Sequence, residues 1–155
     1  MKKKSKTITF FVWILIFNYI GGYLSSLSVF NPELIYNSLE KPSFAVPSFV
    51  FSIVWGILYF LLALAITFDY RKEGRNLFVY VFSMLTNFSW SYIFFSQRLY
   101  GIAFFIIIIL IVFTLYLAFK FFRNSKISSF IMFIYLIWLT YAALLNYFIW
   151  MYNEM

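Results

Sequence analysis

The stretch "LYGIAFFIIIILIVFTLYLAF", residues 99–119, carries no charged side chain. About 20 helical residues at 1.5 Å each cross the hydrocarbon core of a bilayer. Backbone in that core must satisfy its own hydrogen bonds, which makes the stretch a helix. The same pattern recurs along the chain. All charges fall outside five runs: 7–32, 42–68, 76–97, 99–119 and 127–153. They predict an all-α membrane protein, one domain over 1–155, with five transmembrane helices near 8–29, 47–68, 77–97, 100–121 and 127–151.

Composition agrees. Of 155 residues, 65% are hydrophobic, 26% aromatic and 11% charged, against about 25% charged in a soluble domain. Cysteine and histidine are absent. That removes disulfides, ordinary zinc sites, thiolate or imidazole nucleophiles and the usual haem ligands, so no metal and no cofactor is expected. The net charge of +7 suggests cytoplasmic loops rather than nucleic acid. The basic N-terminus precedes an apolar run too long for a signal-peptide core.

Lysine and arginine also set a topology. The N-terminus has Lys2, Lys3, Lys4 and Lys6; the second loop Arg71, Lys72 and Arg75; the fourth Lys120, Arg123 and Lys126. The other side has only Lys41 and Arg98. The N-terminus is expected in the cytoplasm and the C-terminus outside. Segment 30–46 is the one long loop, a candidate lid. Asn31-Pro32 and Lys41-Pro42 predict extended or turn backbone there. A tight antiparallel hairpin is expected around Gln97 to Tyr100.

Polar and aromatic residues inside the runs recur at helical spacing. Trp55 and Tyr59 share a face, as do Asn87, Trp90, Ser91 and Phe94, and Tyr135, Trp138, Ala142 and Asn146. Asn87 and Asn146 should face inward, as interhelical glue or as pocket lining. Trp55, Trp90 and Trp138 are either packing or an aromatic cavity for a flat apolar ligand, since each indole N–H wants a partner. Trp13 and Trp150, near helix ends, suit an interfacial belt. Gly21, Gly22, Ser25 and Ser26 form two small-x-x-x-small pairs, which serve either internal packing or a dimer.

"YNSLEKPSFAVPSFVFSIVWGILY", from Tyr36 to Tyr59, resembles the signature of the TspO/MBR family of tryptophan-rich sensory proteins and translocator proteins. The family pattern runs roughly W-Y-x-x-L-x-K-P-x-W-x-P-P, then V-W-x-x-L-Y. "NFSWSYIFFSQR" (87–98) is similar to its N-x-x-W-S-x-x-F-F segment. "IYLIWLTYAALLNYFIW" (134–150) is similar to P-Y-x-x-W-x-x-F-A-x-x-L-N-x-x-x-W. The resemblance covers about residues 8 to 153. Departures are Ile35 and Phe44 for tryptophan, Val46 and Ile134 for proline, and Ser52 where glycine is common.

The resemblance implies a five-helix bundle, commonly a homodimer, in a bacterial cell membrane. It implies a receptor or sensor that binds porphyrins such as protoporphyrin IX, and benzodiazepine- or isoquinoline-type molecules. Animal members also bind cholesterol. The implied ligand residues are Tyr36, Pro42, Phe44, Pro47, Phe51, Trp55, Tyr59, Asn87, Trp90, Phe94, Tyr135, Trp138, Ala142 and Asn146. Trp55 is expected about two turns into its helix, roughly 12 Å along the axis, facing Trp138 across the pocket. Lys41 and Arg98 are either partners for porphyrin carboxylates or solvated loop charges. An alternative is light- and oxygen-dependent porphyrin breakdown, with Trp55 and Trp138 as the catalytic pair. No acid–base pair sits within the runs, which argues against conventional catalysis. A porphyrin or sterol carrier is a third reading. Helix 5 lacks a CRAC-type motif, and only Lys126, Phe130 and Leu136 give a CARC-type match.

Overall fold

Each of the five charge-free runs carries a long helix. The computed structural model describes residues 2–27, 31–71 and 76–155, with side chains from Lys4 onward. The helices are α1 (Lys2–Leu27), α2 (Pro32–Ser38), α3 (Ser48–Arg71), α4 (Leu77–Ser91), α5 (Tyr100–Asn124) and α6 (Lys126–Asn153). Among the described residues, five helices are long and apolar enough to cross a membrane: α1, α3, α4 with its continuation, α5 and α6. The expected last turn of the first helix, at 28–29, and the loop cations Lys72 and Arg75 lie outside the described residues.

The burial pattern is that of a membrane protein. Lipid-facing positions are large and apolar: Phe78 and Ile137 are each 72% exposed. Polar side chains instead sit inside, with Asn18, Ser83, Asn87, Thr114, Ser128, Ser129 and Asn146 all buried. In water this distribution would be unstable; in lipid it lets buried polar groups pair across helices. The chain is an integral membrane protein.

The helices close a ring: α1 packs on α3, α3 on α6, α6 on α5, α5 on α4, and α4 back on α1. Buried polar groups fasten the seams. Asn18 of α1 donates to the Tyr59 carbonyl of α3 at 2.9 Å and shares a hydrogen bond with the Tyr80 hydroxyl of α4 at 2.8 Å. Ser128 and Ser129 of α6 donate to the carbonyls of Ala65 in α3 and Ala118 in α5 at 2.8 and 2.9 Å. Gly21 and Gly22 let α1 approach closely. A Cβ at Gly21 would collide with the Phe88 ring, and one at Gly22 with the Tyr59 ring. These glycines therefore serve packing within the chain.

Three local features add to the expected outline. The expected loop 30–46 contains a short helix, α2. Asn31 turns through the left-handed region (φ 49°), and Pro32 then opens α2. Proline suits a first helical position, where its missing N–H would be unpaired anyway. The end of α4 widens into a π-helical turn, Tyr92–Ser96. It leads into the expected hairpin, where Arg98 adopts φ 54° and Leu99 N–H reaches the Ile93 carbonyl at 3.2 Å. The α5–α6 connection is shorter than the expected gap of 122–126. Ser125 alone breaks the helix, and its side chain caps α6 by accepting from Ser128 N–H at 3.3 Å.

Candidate functional site

At the end of the bundle that carries the lid, α3 and α4 diverge. They enclose, with the last turns of α1 and with α2, a cavity of about 680 Å³. Its walls include Tyr36, Phe51, Trp55, Tyr59, Asn87 and Trp90, six of the residues the sequence nominates. Trp55 is the hub. Its ring centroid lies 5.7 Å from Tyr59, 6.2 Å from Tyr135 and 6.4 Å from both Trp90 and Trp138.

The other nominated residues lie behind or above this wall. Tyr135, Ala142 and Asn146 are buried in α6, and Phe94 in the π-helical turn. Trp138 is not across the cavity from Trp55. It packs edge-on against Trp55 and against Phe51 (5.5 Å), on the α6 side of both rings. Its indole N–H is buried without a partner. Pro42, Phe44 and Pro47 shape the lid without lining the cavity. Pro42 and Pro47 accept turn hydrogen bonds from Ala45 and Val50 at 3.0 and 3.1 Å. Phe44 packs on Tyr141 and Phe148 at 6.3 and 5.6 Å.

Two buried asparagines face inward as expected, with different roles. Asn146 is glue. It accepts from Trp90 Nε1 at 3.0 Å and donates to the Tyr100 carbonyl at 2.8 Å, joining α4, α5 and α6. Asn87 is both glue and lining. It donates to the Tyr135 hydroxyl at 2.9 Å, accepts from Tyr59 at 3.3 Å, and forms part of the cavity wall. Holding Tyr59 fixes one aromatic wall, while Asn146 fixes the Trp90 wall through its indole.

The lid is tied down by groups that helical periodicity did not single out. Asn153, at the end of α6, accepts from Glu40 N–H at 3.0 Å and donates to its carbonyl at 2.9 Å. The Tyr36 hydroxyl donates to the Val46 carbonyl at 2.8 Å. Burial, with the Tyr141 hydroxyl nearby, pushes the Tyr36 hydroxyl up to about 12, so it remains a donor at neutral pH. Val46 N–H donates to Tyr141 Oη at 3.1 Å, and Tyr141 donates in turn to the Phe44 carbonyl at 3.3 Å. Val46 stands where the family pattern has proline, and Tyr141 where it has phenylalanine. One substitution supplies an N–H and the other an acceptor for it. The rigidity lost with the proline is thus offset by a hydrogen bond.

Lys41 is not a free loop charge. Its ammonium donates to the carbonyls of Tyr36, Asn37 and Leu39 at 2.7, 3.2 and 2.8 Å, capping α2, and lies 5.0 Å over the Tyr36 ring. Arg98 sits exposed in the α4–α5 turn, off the cavity lining. Residues the sequence reading passed over as lining are Asn31, Glu33, Ser48 and Phe95. Trp150 is more than a belt residue: it packs on Gly101 and stacks on Phe104 at 6.0 Å. Lys126 and Phe130 point outward from α6.

A larger cleft, about 880 Å³, lies at the opposite end between α1, α3 and α6. Among the described residues lining it, Phe68 is the one aromatic side chain, beside Lys4 and Arg71. For a flat apolar ligand, the aromatic cavity is the better match. Among the described residues, no group of three acidic or other metal-ligating side chains could hold a metal ion.

Comparison with known proteins agrees with the motifs. The model of the TspO/MBR family matches residues 7–151. The tryptophan-rich protein TspO of Bacillus cereus is 28% identical over 97% of this chain and 98% of its own length. The translocator protein of Sus scrofa is 28% identical over 87% of this chain and 85% of its own length. The tryptophan-rich sensory protein of Cereibacter sphaeroides is 27% identical over 87% and 89% respectively. With a five-span bundle, three motifs in order on its walls and a family match over nearly the whole length, the chain belongs to the TspO/MBR family.

Proposed function

We propose that this protein is a membrane receptor or sensor that binds porphyrins, protoporphyrin IX among them, and similar flat hydrophobic molecules between α1, α2, α3 and α4. The observation that carries this reading is the aromatic cavity of about 680 Å³, within the 300–1,000 Å³ of typical ligand sites. Trp55, Trp90, Phe51 and Tyr59 offer ring surfaces, and Asn87 a polar point. The names of relatives, sensory protein and translocator protein, are consistent with a receptor role. The distribution of lysine and arginine supports a cytoplasmic N-terminus in a bacterial cell membrane. A homodimer is part of this reading, as are benzodiazepine- and isoquinoline-type ligands.

A second reading, light- and oxygen-dependent breakdown of bound porphyrin, rests on Trp55. It is in the cavity wall and its ring is 6.4 Å from two other indoles. Tryptophan fluorescence of the protein in nanodiscs, titrated with protoporphyrin IX, tests binding. Saturable quenching is expected, with affinity lowered about tenfold in Trp55→Phe through lost ring contact and cavity reshaping. Linear, unsaturable quenching would count against the pocket. Equal loss of illuminated porphyrin with wild type, Trp55→Phe and no protein would remove the breakdown reading alone.

A further inference from the structure

Charge at the cavity mouth sharpens the ligand class, an inference that rests on the reading of this cavity as the binding site. Porphyrin carboxylates would call for arginine or lysine at the rim. Among the described residues the lining contains neither. Its one charged side chain among the described residues is Glu33, in the first turn of α2, whose carboxylate accepts from Ser48 Oγ at 3.3 Å. Residues 28–30, beside this rim in sequence, carry no charge. Lys41 has its donors on the carbonyls of Tyr36, Asn37 and Leu39 at the end of α2, and Arg98 lies off the lining. The rest of the lining is aromatic rings, hydroxyls and amides. Rings such as Trp55, Trp90 and Tyr59 attract cations through their π faces, while the Tyr36 ring already has the Lys41 ammonium over it. A carboxylate above aromatic walls is therefore arranged for a cation, and it repels an anion.

We propose that the cavity selects flat aromatic ligands bearing a protonated amine at the mouth, with Glu33 as the specificity-determining residue. A diacid such as protoporphyrin IX enters with its carboxylates directed to water and gains nothing from the rim. Unit charges roughly 6 Å apart in water are worth about threefold in affinity, so exchanging an anion for a cation there is worth about tenfold.

Three ligands with one chromophore test this by tryptophan quenching, in nanodiscs of uncharged phosphatidylcholine. They are protoporphyrin IX, its dimethyl ester, and a diamide whose side arms end in protonated amines. The amine is expected to bind about tenfold tighter than the diacid, with the ester between them. Glu33→Gln keeps an oxygen for Ser48 and removes the charge. It should bring the amine and diacid affinities to within about threefold. Ser48→Ala, which leaves the charge, should keep the wild-type order. A diacid that binds as tightly as the amine, or a ratio unchanged in Glu33→Gln, would overturn the selectivity while leaving the porphyrin site standing. Absence of saturable quenching by all three would overturn both.

Discussion

Asn18→Ala is expected to lower the midpoint of heat-induced aggregation in detergent by about 3–6 °C, the largest stability effect of any single polar truncation in the bundle. The side chain is fully buried and joins three helices, reaching the Tyr59 carbonyl in α3 and the Tyr80 hydroxyl in α4. An average hydrogen bond between membrane helices is worth only about 0.6 kcal/mol, because the unfolded chain also finds partners. Here the larger effect is the group left behind. Tyr80 is 1% exposed and its hydroxyl would lose both hydrogen bonds to the amide, a loss of about 1–3 kcal/mol for a buried group left unpaired. A net loss of about 1–2 kcal/mol follows, given that measured membrane cases reach about 1.7. Tyr80→Phe should cost less, since the amide keeps the Tyr59 carbonyl. Equal and negligible shifts in both variants would show that α1 is held by ring packing alone.

Gly22→Leu is expected to reduce porphyrin affinity by about tenfold or more, the largest effect on binding of any change outside the aromatic walls. A Cβ at Gly22 runs into the Tyr59 ring, with the ring's Cζ and hydroxyl both at 2.9 Å. That ring cannot simply swing aside. It is packed by Trp55, Phe88 and Tyr19 at 5.7, 6.1 and 6.0 Å, and its hydroxyl donates to Asn87. Overpacking of this kind costs about 1–3 kcal/mol. The rest of the leucine side chain enters the cavity, because Gly22 is part of its lining. Gly56→Ala is the matched control. Nothing lies within 4 Å of its added Cβ, so binding should be unchanged and helix stability raised slightly. Undiminished quenching in Gly22→Leu would place the ligand elsewhere.

How far the sequence foretold this arrangement depended on the kind of signal. Helices were legible because lipid excludes charge: charged residues bracket every span, closely at most ends and more loosely around the lid, where α3 starts only at Ser48. Trp55, Trp90 and Asn87 were legible because polar and aromatic residues at helical spacing must turn inward. Trp138 shared that signal, yet sits behind Trp55. Spacing identifies the buried face of a helix but not the depth of neighbouring rings. Asn18 escaped notice because it stands alone in α1 without a polar companion three or four residues away. The lid was the least legible part. Its geometry depends on Lys41, Tyr141 and Asn153, which bond to backbone far away in sequence or folded back locally. Glu33 looked like a loop charge until α2 brought it to the cavity rim.

The central claim is that the flat ligand lies between α1, α2, α3 and α4. A photoactivatable protoporphyrin IX derivative, cross-linked in nanodiscs and mapped by peptide mass spectrometry, tests it most directly. Adducts should fall on Tyr36, Phe51, Trp55, Tyr59, Asn87 or Trp90, and excess unlabelled protoporphyrin IX should suppress them. Adducts confined to lipid-facing positions such as Phe105, Val112 or Ile137, and unaffected by competitor, would contradict it.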